Sequence, residues 1–232
     1  MKHTLLIKDW LSSFLSLLFP RCCVVCGRPL AKGEECICTV CNINLPRTNY
    51  HLRKDNPVER LFWGQIPLER ATSFFFYEKG SDFRLILHRL KYGGQKEIGA
   101  IMGRYMAAEL LSSHFFQGID VIIPIPLHKK KQQIRGYNQS EWIARGIAAV
   151  TGIPIDTESI LRKKNTETQT RKSVFERRDN VEGIFELQHP ETLAGKHILI
   201  VDDVLTTGST ALACASCLVN VEGIRISILT LA

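Results

Sequence analysis

Apolar residues follow two rhythms along this chain. At 198–201 they run unbroken, Ile-Leu-Ile-Val, and such a run predicts a strand buried on both faces of a parallel sheet. Residues 120–126 predict another, with an interior proline that marks its end or an irregular exit. Residues 71–77, closing on Ser-Phe-Phe-Phe-Tyr, predict a third. Elsewhere the spacing is helical. Phe83, Ile86, Leu87 and Leu90 predict a helix stopped at Gly93 and Gly94. Ile98, Ile101, Met102, Tyr105, Met106 and Leu110 predict a second. Residues 140–150 and 211–219 read as helices that each follow a strand. This alternation is that of an α/β fold.

Before residue 20 the pattern is amphipathic. Ile7, Leu11, Phe14, Leu15 and Leu18 share one helical face, and Pro20 closes the segment. Lys8 and Asp9 interrupt it, and it is too short to span a bilayer. The expectation is a helix over 1–21 docked on its own protein, with a membrane-surface anchor as the alternative. No export signal is evident, so a cytoplasmic location is expected.

The chain of 232 residues holds one ordinary domain and a small appendage. Its 45% hydrophobic content supports a real core. A net charge of +7 favours anionic ligands, and serves a diphosphate or a nucleic acid equally well.

The strand at 198–201 ends in two carboxylates, Asp202 and Asp203, followed by Thr206, Thr207, Gly208, Ser209 and Thr210. Ligands of open α/β sheets bind beyond such strand ends. Gly208 permits close backbone approach, Ser209 occupies a favoured N-cap position, and the first-turn N–H groups suit one phosphate. The lysine of a P-loop and the G-x-G-x-x-G of a dinucleotide site are both missing. An acidic pair would repel a bare phosphate. A sugar lying between the phosphate and the carboxylates removes that conflict, because the carboxylates accept from its hydroxyls.

Residues 198–210 resemble the phosphoribosyl-pyrophosphate (PRPP) motif of type I phosphoribosyltransferases. The resemblance implies that fold, an open and mainly parallel sheet flanked by helices, over residues 71–232. It implies Asp202 and Asp203 as catalytic residues and 206–210 as the 5′-phosphate loop. The basic stretch after the strand at 120–126 carries Lys129, Lys130, Lys131, Arg135 and Gly136 and reads as a loop. By the same resemblance it binds pyrophosphate, through Arg135 and Gly136 with Lys131. The polar segment holding Lys163, Lys164, Gln169 and Arg171 resembles the mobile loop that closes over PRPP and excludes water. A short charged helix is expected at 173–179.

Six of the eight cysteines fall between 22 and 41. The pairs Cys23/Cys26 and Cys38/Cys41, eleven residues apart, form the pattern of a closed, structural four-cysteine Zn2+ site. Cys22 and Cys36 compete with them. Gly27 and Asn42 follow the preferred pairs and tolerate the left-handed turn that wraps amides around thiolate sulfur. A zinc-knuckle module over 22–46 and a linker over 47–70 are therefore expected. Cys214 and Cys217 read as helix packing.

Together these stretches resemble the ComF family of competence-associated proteins, which join a four-cysteine zinc module to a phosphoribosyltransferase domain. The carriers are Phe19-Pro20 before Cys23, the paired C-x2-C, Pro124 to His128, Arg135-Gly136-Tyr137-Asn138-Gln139, Gln169 with Glu176, Arg177 and Asn180, and the PRPP motif. The resemblance implies PRPP and Mg2+ as ligands and transfer of phosphoribosyl to an acceptor with release of pyrophosphate, linked to DNA uptake. A non-catalytic PRPP sensor, and a protein that binds single-stranded DNA or competence helicase machinery, are the alternatives. An amidophosphoribosyltransferase is not expected, because the sequence starts Met1-Lys2 and its first cysteine is Cys22.

Overall fold

A computed structural model describes residues 20–163 and 183–232. The amphipathic segment before residue 20, Lys164, Gln169, Arg171, and the stretch at 173–180 lie outside the described residues. The described strands are β1 (Leu68–Ser73), β2 (Val121–Pro124), β3 (Ile160–Arg162), β4 (Phe185–Leu187), β5 (His197–Asp202) and β6 (Arg225–Thr230). β1, β6, β5 and β2 form one sheet in that order, and all neighbours are parallel. β3 and β4 make a separate antiparallel ribbon.

Two apolar cores explain the unbroken runs. Side chains alternate across a strand, so Ile122, Leu199, Val201 and Leu229 enter one core while Val121, Ile123, Ile198, Ile200, Ile226 and Ile228 enter the other. The first core is closed by α3 (Arg84–Tyr92), α4 (Glu97–Leu111) and α6 (Gln139–Thr151). The second is closed by α7 (Ser209–Ser216), the ribbon and the segment around α2 (Pro57–Arg60). Fully burying each such aliphatic side chain contributes about 1.5–3 kcal/mol.

α4 and α6 pack backbone against backbone. A Cβ at Gly103 would run into the carbonyl oxygen of Ile143, and one at Gly146 into that of Ala100. Only glycine permits this approach.

The first strand starts and stops earlier than the aromatic run suggests. β1 pairs with β6 as far as Ser73, after which Phe76 N–H donates to Pro46 O and Phe75 bridges to Arg47. Phe74 and Phe75 are instead buried in the core beneath the cysteine segment. The segment at 47–70 is more than a connection. Asn56 and Glu59 form a capping box at α2, and Asn56 Nδ2 donates to Ala71 O at 2.9 Å while Ala71 N–H donates to Glu59 at 3.3 Å. These side chains cover the outer edge of β1, which would otherwise offer a pairing site.

The basic stretch is a helix, α5 (Lys129–Arg135), rather than a loop. Lys, Gln and Arg are good helix formers, and His128 caps the first turn by accepting from Lys130 N–H at 3.2 Å. Among the described residues no helix is long and apolar enough to cross a membrane.

Candidate functional site

β2 and β5 are neighbours, so the segments leaving their carboxyl ends meet. From β5 come Asp202 and Asp203. From β2 comes α5, ending at Arg135, with Gly136 in the left-handed region at φ 81° and α6 following. The turn between α5 and α6 is fixed by Asn138, which donates to Ile125 O at 3.0 Å and accepts from Ser140 N–H at 3.2 Å.

The acidic pair is held from three sides. Ser140 Oγ donates to Asp202 Oδ1 at 2.9 Å, and the Asp203 N–H donates to the same oxygen at 2.8 Å. Lys91 Nζ, in the last turn of α3, lies 3.0 Å from Asp203 Oδ1. The Asp202 carboxylate is enclosed although the residue keeps some exposed surface. Burial, then the Asp203 charge, push it up to about 7 against the two hydrogen bonds and Lys91.

Cations converge here. Burial, then the charges of Arg162, Arg135 and Lys91, hold the Lys131 ammonium below its ordinary value, so each of these three cations acts on Lys131. Arg162, at the end of β3, is lowered by burial and opposed by the Asp202 carboxylate. The arrangement suits a ligand that carries sugar hydroxyls for the carboxylates and a diphosphate for the cations.

The 206–210 loop follows the acidic pair directly in the chain. Gly208, at φ 74°, precedes α7, and Ser209 is the first helical residue rather than its N-cap. Ser209 Oγ instead pairs with Thr207 Oγ1 at 2.7 Å. Thr206, Thr207, Ser209 and Thr210 are all at least partly exposed around the start of α7, where first-turn N–H groups have no carbonyl partners within the helix. Phe62 forms the wall of this loop, since a Cβ on Gly208 would lie 3.4 Å from its ring.

Lys163 stands at the exposed end of the ribbon. Its Nζ pairs with Glu186 at 2.6 Å across the β3–β4 ribbon. Lys91, Ser140 and Arg162 carry weight that the sequence reading missed. For Lys91 the only signal was a cation just before Gly93, which also satisfies a helix C-terminus and so drew no attention.

Cys23, Cys26, Cys38 and Cys41 come together, with their sulfurs all within 4.8 Å of one another. Cys26 Sγ and Cys38 Sγ are 3.7 Å apart, close to the edge of a tetrahedron with Zn–S bonds of about 2.3 Å. The donor set therefore fits zinc. Cys22 is exposed, with its thiol donating to Pro20 O, and neither it nor the buried Cys36 belongs to the cluster. Burial raises the Cys23 thiol, yet N–H groups of Cys26, Cys38 and Val25 outweigh it and bring it down to about 6. Gly27 has the expected left-handed turn at φ 72°. Asn42 does not, because the second pair opens α1 (Thr39–Ile43), and the helical turn itself aims Cys41 N–H at Cys38 Sγ at 3.5 Å. Cys214 is buried within α7, as helix packing requires.

The cysteine segment shares the first core with Leu90 and Met106. Arg47 ties it down, with Nε 2.5 Å from Glu109 Oε2 on α4 and Nη1 donating to Asn42 O at 2.5 Å. Arg104 pairs with Glu35.

Residues 139–232 match the phosphoribosyl transferase domain family. The DNA utilization protein YhgH of Escherichia coli O157:H7 is 32% identical over 219 residues, covering 88% of this chain and 93% of its own length. Competence protein F of Haemophilus influenzae is 32% identical over 130 residues, covering 54% of this chain and 57% of its own. Competence protein ComFC of Bacillus subtilis is 26% identical over 216 residues, covering 91% and 83%.

Proposed function

Because this chain belongs to the ComF family and carries its phosphoribosyltransferase domain, we propose that it binds PRPP at the ends of β2 and β5 and transfers the phosphoribosyl group to an acceptor, in the handling of DNA. The observation that carries this reading is the buried acidic pair with Lys91 3.0 Å from Asp203 and with Arg162 acted on by Asp202, followed directly in the chain by the 206–210 loop at the start of α7. The relatives named for DNA utilization and competence support the cellular setting.

In the reaction a nitrogen nucleophile attacks ribose C1. The new N–C1 bond forms as the C1–O bond breaks, and its electron pair leaves with pyrophosphate. Positive charge grows on the sugar, as in glycoside hydrolysis. Asp202 and Asp203 accept from the ribose hydroxyls and offset that charge. Arg135 and Lys131 face the departing diphosphate, and the 206–210 loop anchors the 5′-phosphate. Mg2+, which prefers substrate oxygens and water to a protein cage, supplies further neutralisation of the diphosphate when bound. Zn2+ on Cys23, Cys26, Cys38 and Cys41 has a structural role, since all four positions are filled by protein.

Thermal unfolding with and without Mg2+–PRPP tests the reading. A ligand at 100 times its Kd adds about 2.7 kcal/mol, and the shift should vanish in Asp202→Asn/Asp203→Asn. No shift in zinc-loaded wild type would overturn donor binding. Pyrophosphate release with a candidate acceptor then separates turnover from sensing.

A further inference from the structure

Lys91 is bracketed in a way that a surface lysine is not. The residue before it, Leu90, offers its carbonyl to the Tyr137 hydroxyl at 2.5 Å. The residue after it, Tyr92, lies under the Arg135 guanidinium, which stands 5.5 Å from the ring centroid. Tyr137 and Arg135 flank Gly136 in the turn that follows α5. The last turn of α3 is thus clamped on both sides of Lys91 by the segment that faces the diphosphate, and Lys91 spans from there to Asp203. Gly93, where a Cβ would meet the Arg89 carbonyl oxygen at 2.8 Å, ends the helix immediately beyond.

An ammonium on Asp203 does more than end a helix. If Asp203 accepts from ribose hydroxyls, the donor competes for the oxygen that Lys91 now occupies. The displaced ammonium stays tethered to the last turn of α3, where the neighbouring Tyr92 lies under Arg135 and where the diphosphate arrives. We propose that Lys91 is a further donor-binding residue, which balances the acidic pair before the donor binds and transfers to the diphosphate once it does. This rests on the PRPP reading above. It assigns to α3, outside the motif region, a direct part in recognising the anionic end of the donor. It also explains why the clamp comes from the diphosphate-facing turn, since that turn delivers both Arg135 and Lys91 to the same group.

Two ligands separate this role from a structural one. PRPP carries the diphosphate and ribose 5-phosphate lacks it, while both present ribose hydroxyls and a 5′-phosphate. Calorimetric affinities, with Mg2+, should be measured on wild type, Lys91→Met and Lys91→Arg. Lys91→Met is expected to weaken PRPP at least tenfold while leaving ribose 5-phosphate as tight or tighter, because its competitor for Asp203 is gone. Lys91→Arg should recover most of the PRPP affinity. Equal weakening of both ligands, or no weakening of either, would overturn the transfer, and unfolding curves without ligand show whether Lys91→Met folds as wild type does. Should wild type itself fail to bind PRPP, the donor reading falls and this one with it. Should wild type bind and Lys91→Met bind equally well, only the role of Lys91 falls.

Discussion

The Ser140 hydroxyl donates to Oδ1 of Asp202 at 2.9 Å, so the first turn of α6 is fastened to the tip of β5. That bond favours the ionised carboxylate, as does the Asp203 N–H, yet burial and Asp203 outweigh both and leave Asp202 at about 7. Its folded value is therefore raised above the unfolded value of about 4. Below the unfolded value both states are protonated. As pH rises towards 7 the unfolded state gives up its proton first, and the stability associated with neutral Asp202 is lost. Asp202→Asn removes this loss. Its Tm relative to wild type should climb between pH 5 and 8 by several degrees, at roughly 2–4 °C per kcal/mol. A pH-independent difference would contradict the assignment.

Donor affinity should run the other way. An ionised carboxylate accepts from ribose hydroxyls more strongly than a neutral one, so affinity for Mg2+–PRPP should rise with pH through about 7. Ser140→Ala removes one bond to the carboxylate and should move that rise to higher pH. Calorimetry at fixed ionic strength, from pH 6 to 8.5, checks it.

Zinc should be present at about one ion per chain in untagged protein. Cys26→Ser should lose it and unfold at markedly lower temperature, since structural zinc contributes directly to folding. Cys36→Ser should keep it, because Cys36 lies outside the cluster. Mass spectrometry of metal content distinguishes these, and zinc-free wild type prepared without chelator would refute the site.

Gly146→Ala should cost at least about 2 kcal/mol through overpacking, as the new Cβ meets the backbone of α4 and no side chain can rotate away. Gly152→Ala is a useful contrast, since its Cβ meets nothing within 4 Å and only the φ of 73° is strained. Denaturant unfolding should rank Gly146→Ala well below Gly152→Ala.

Gly208→Ala should strain the loop at φ 74°. Stability should fall by about 1 kcal/mol, while Mg2+–PRPP affinity drops at least tenfold. Binding unaffected by this change would place the 5′-phosphate elsewhere.

How much of this was legible depended on how local each signal was. Asp202, Asp203 and the 206–210 loop were readable because strand, acidic pair, loop and helix follow one another without interruption. The four cluster cysteines were readable from spacing, although the second knuckle uses a helical turn and not a left-handed Asn42. Lys91 was not, because its partner Asp203 is on another element and its local setting has a sufficient explanation of its own. The Gly103 and Gly146 approach was hidden for the same reason, since each glycine looks like a mere weak spot in its own helix. The run at 129–135 misled through charge, which masked good helix formers and a His128 cap. The edge-covering role of Asn56 and Glu59 looked like polar scatter until β1 was beside them.

The buried wall shared by Ile37, Cys38, Leu45, Leu90 and Met106 sets a limit on how this protein can be taken apart. A polypeptide begun at residue 47 would keep every residue of the 206–210 loop and still present an uncovered apolar face, and so would clump before it could fold. A cut between the cysteine segment and the rest of the chain should therefore free no working half. In evolution, too, the cysteine segment cannot be traded like a bead on a string, because any newcomer must match that wall side chain for side chain.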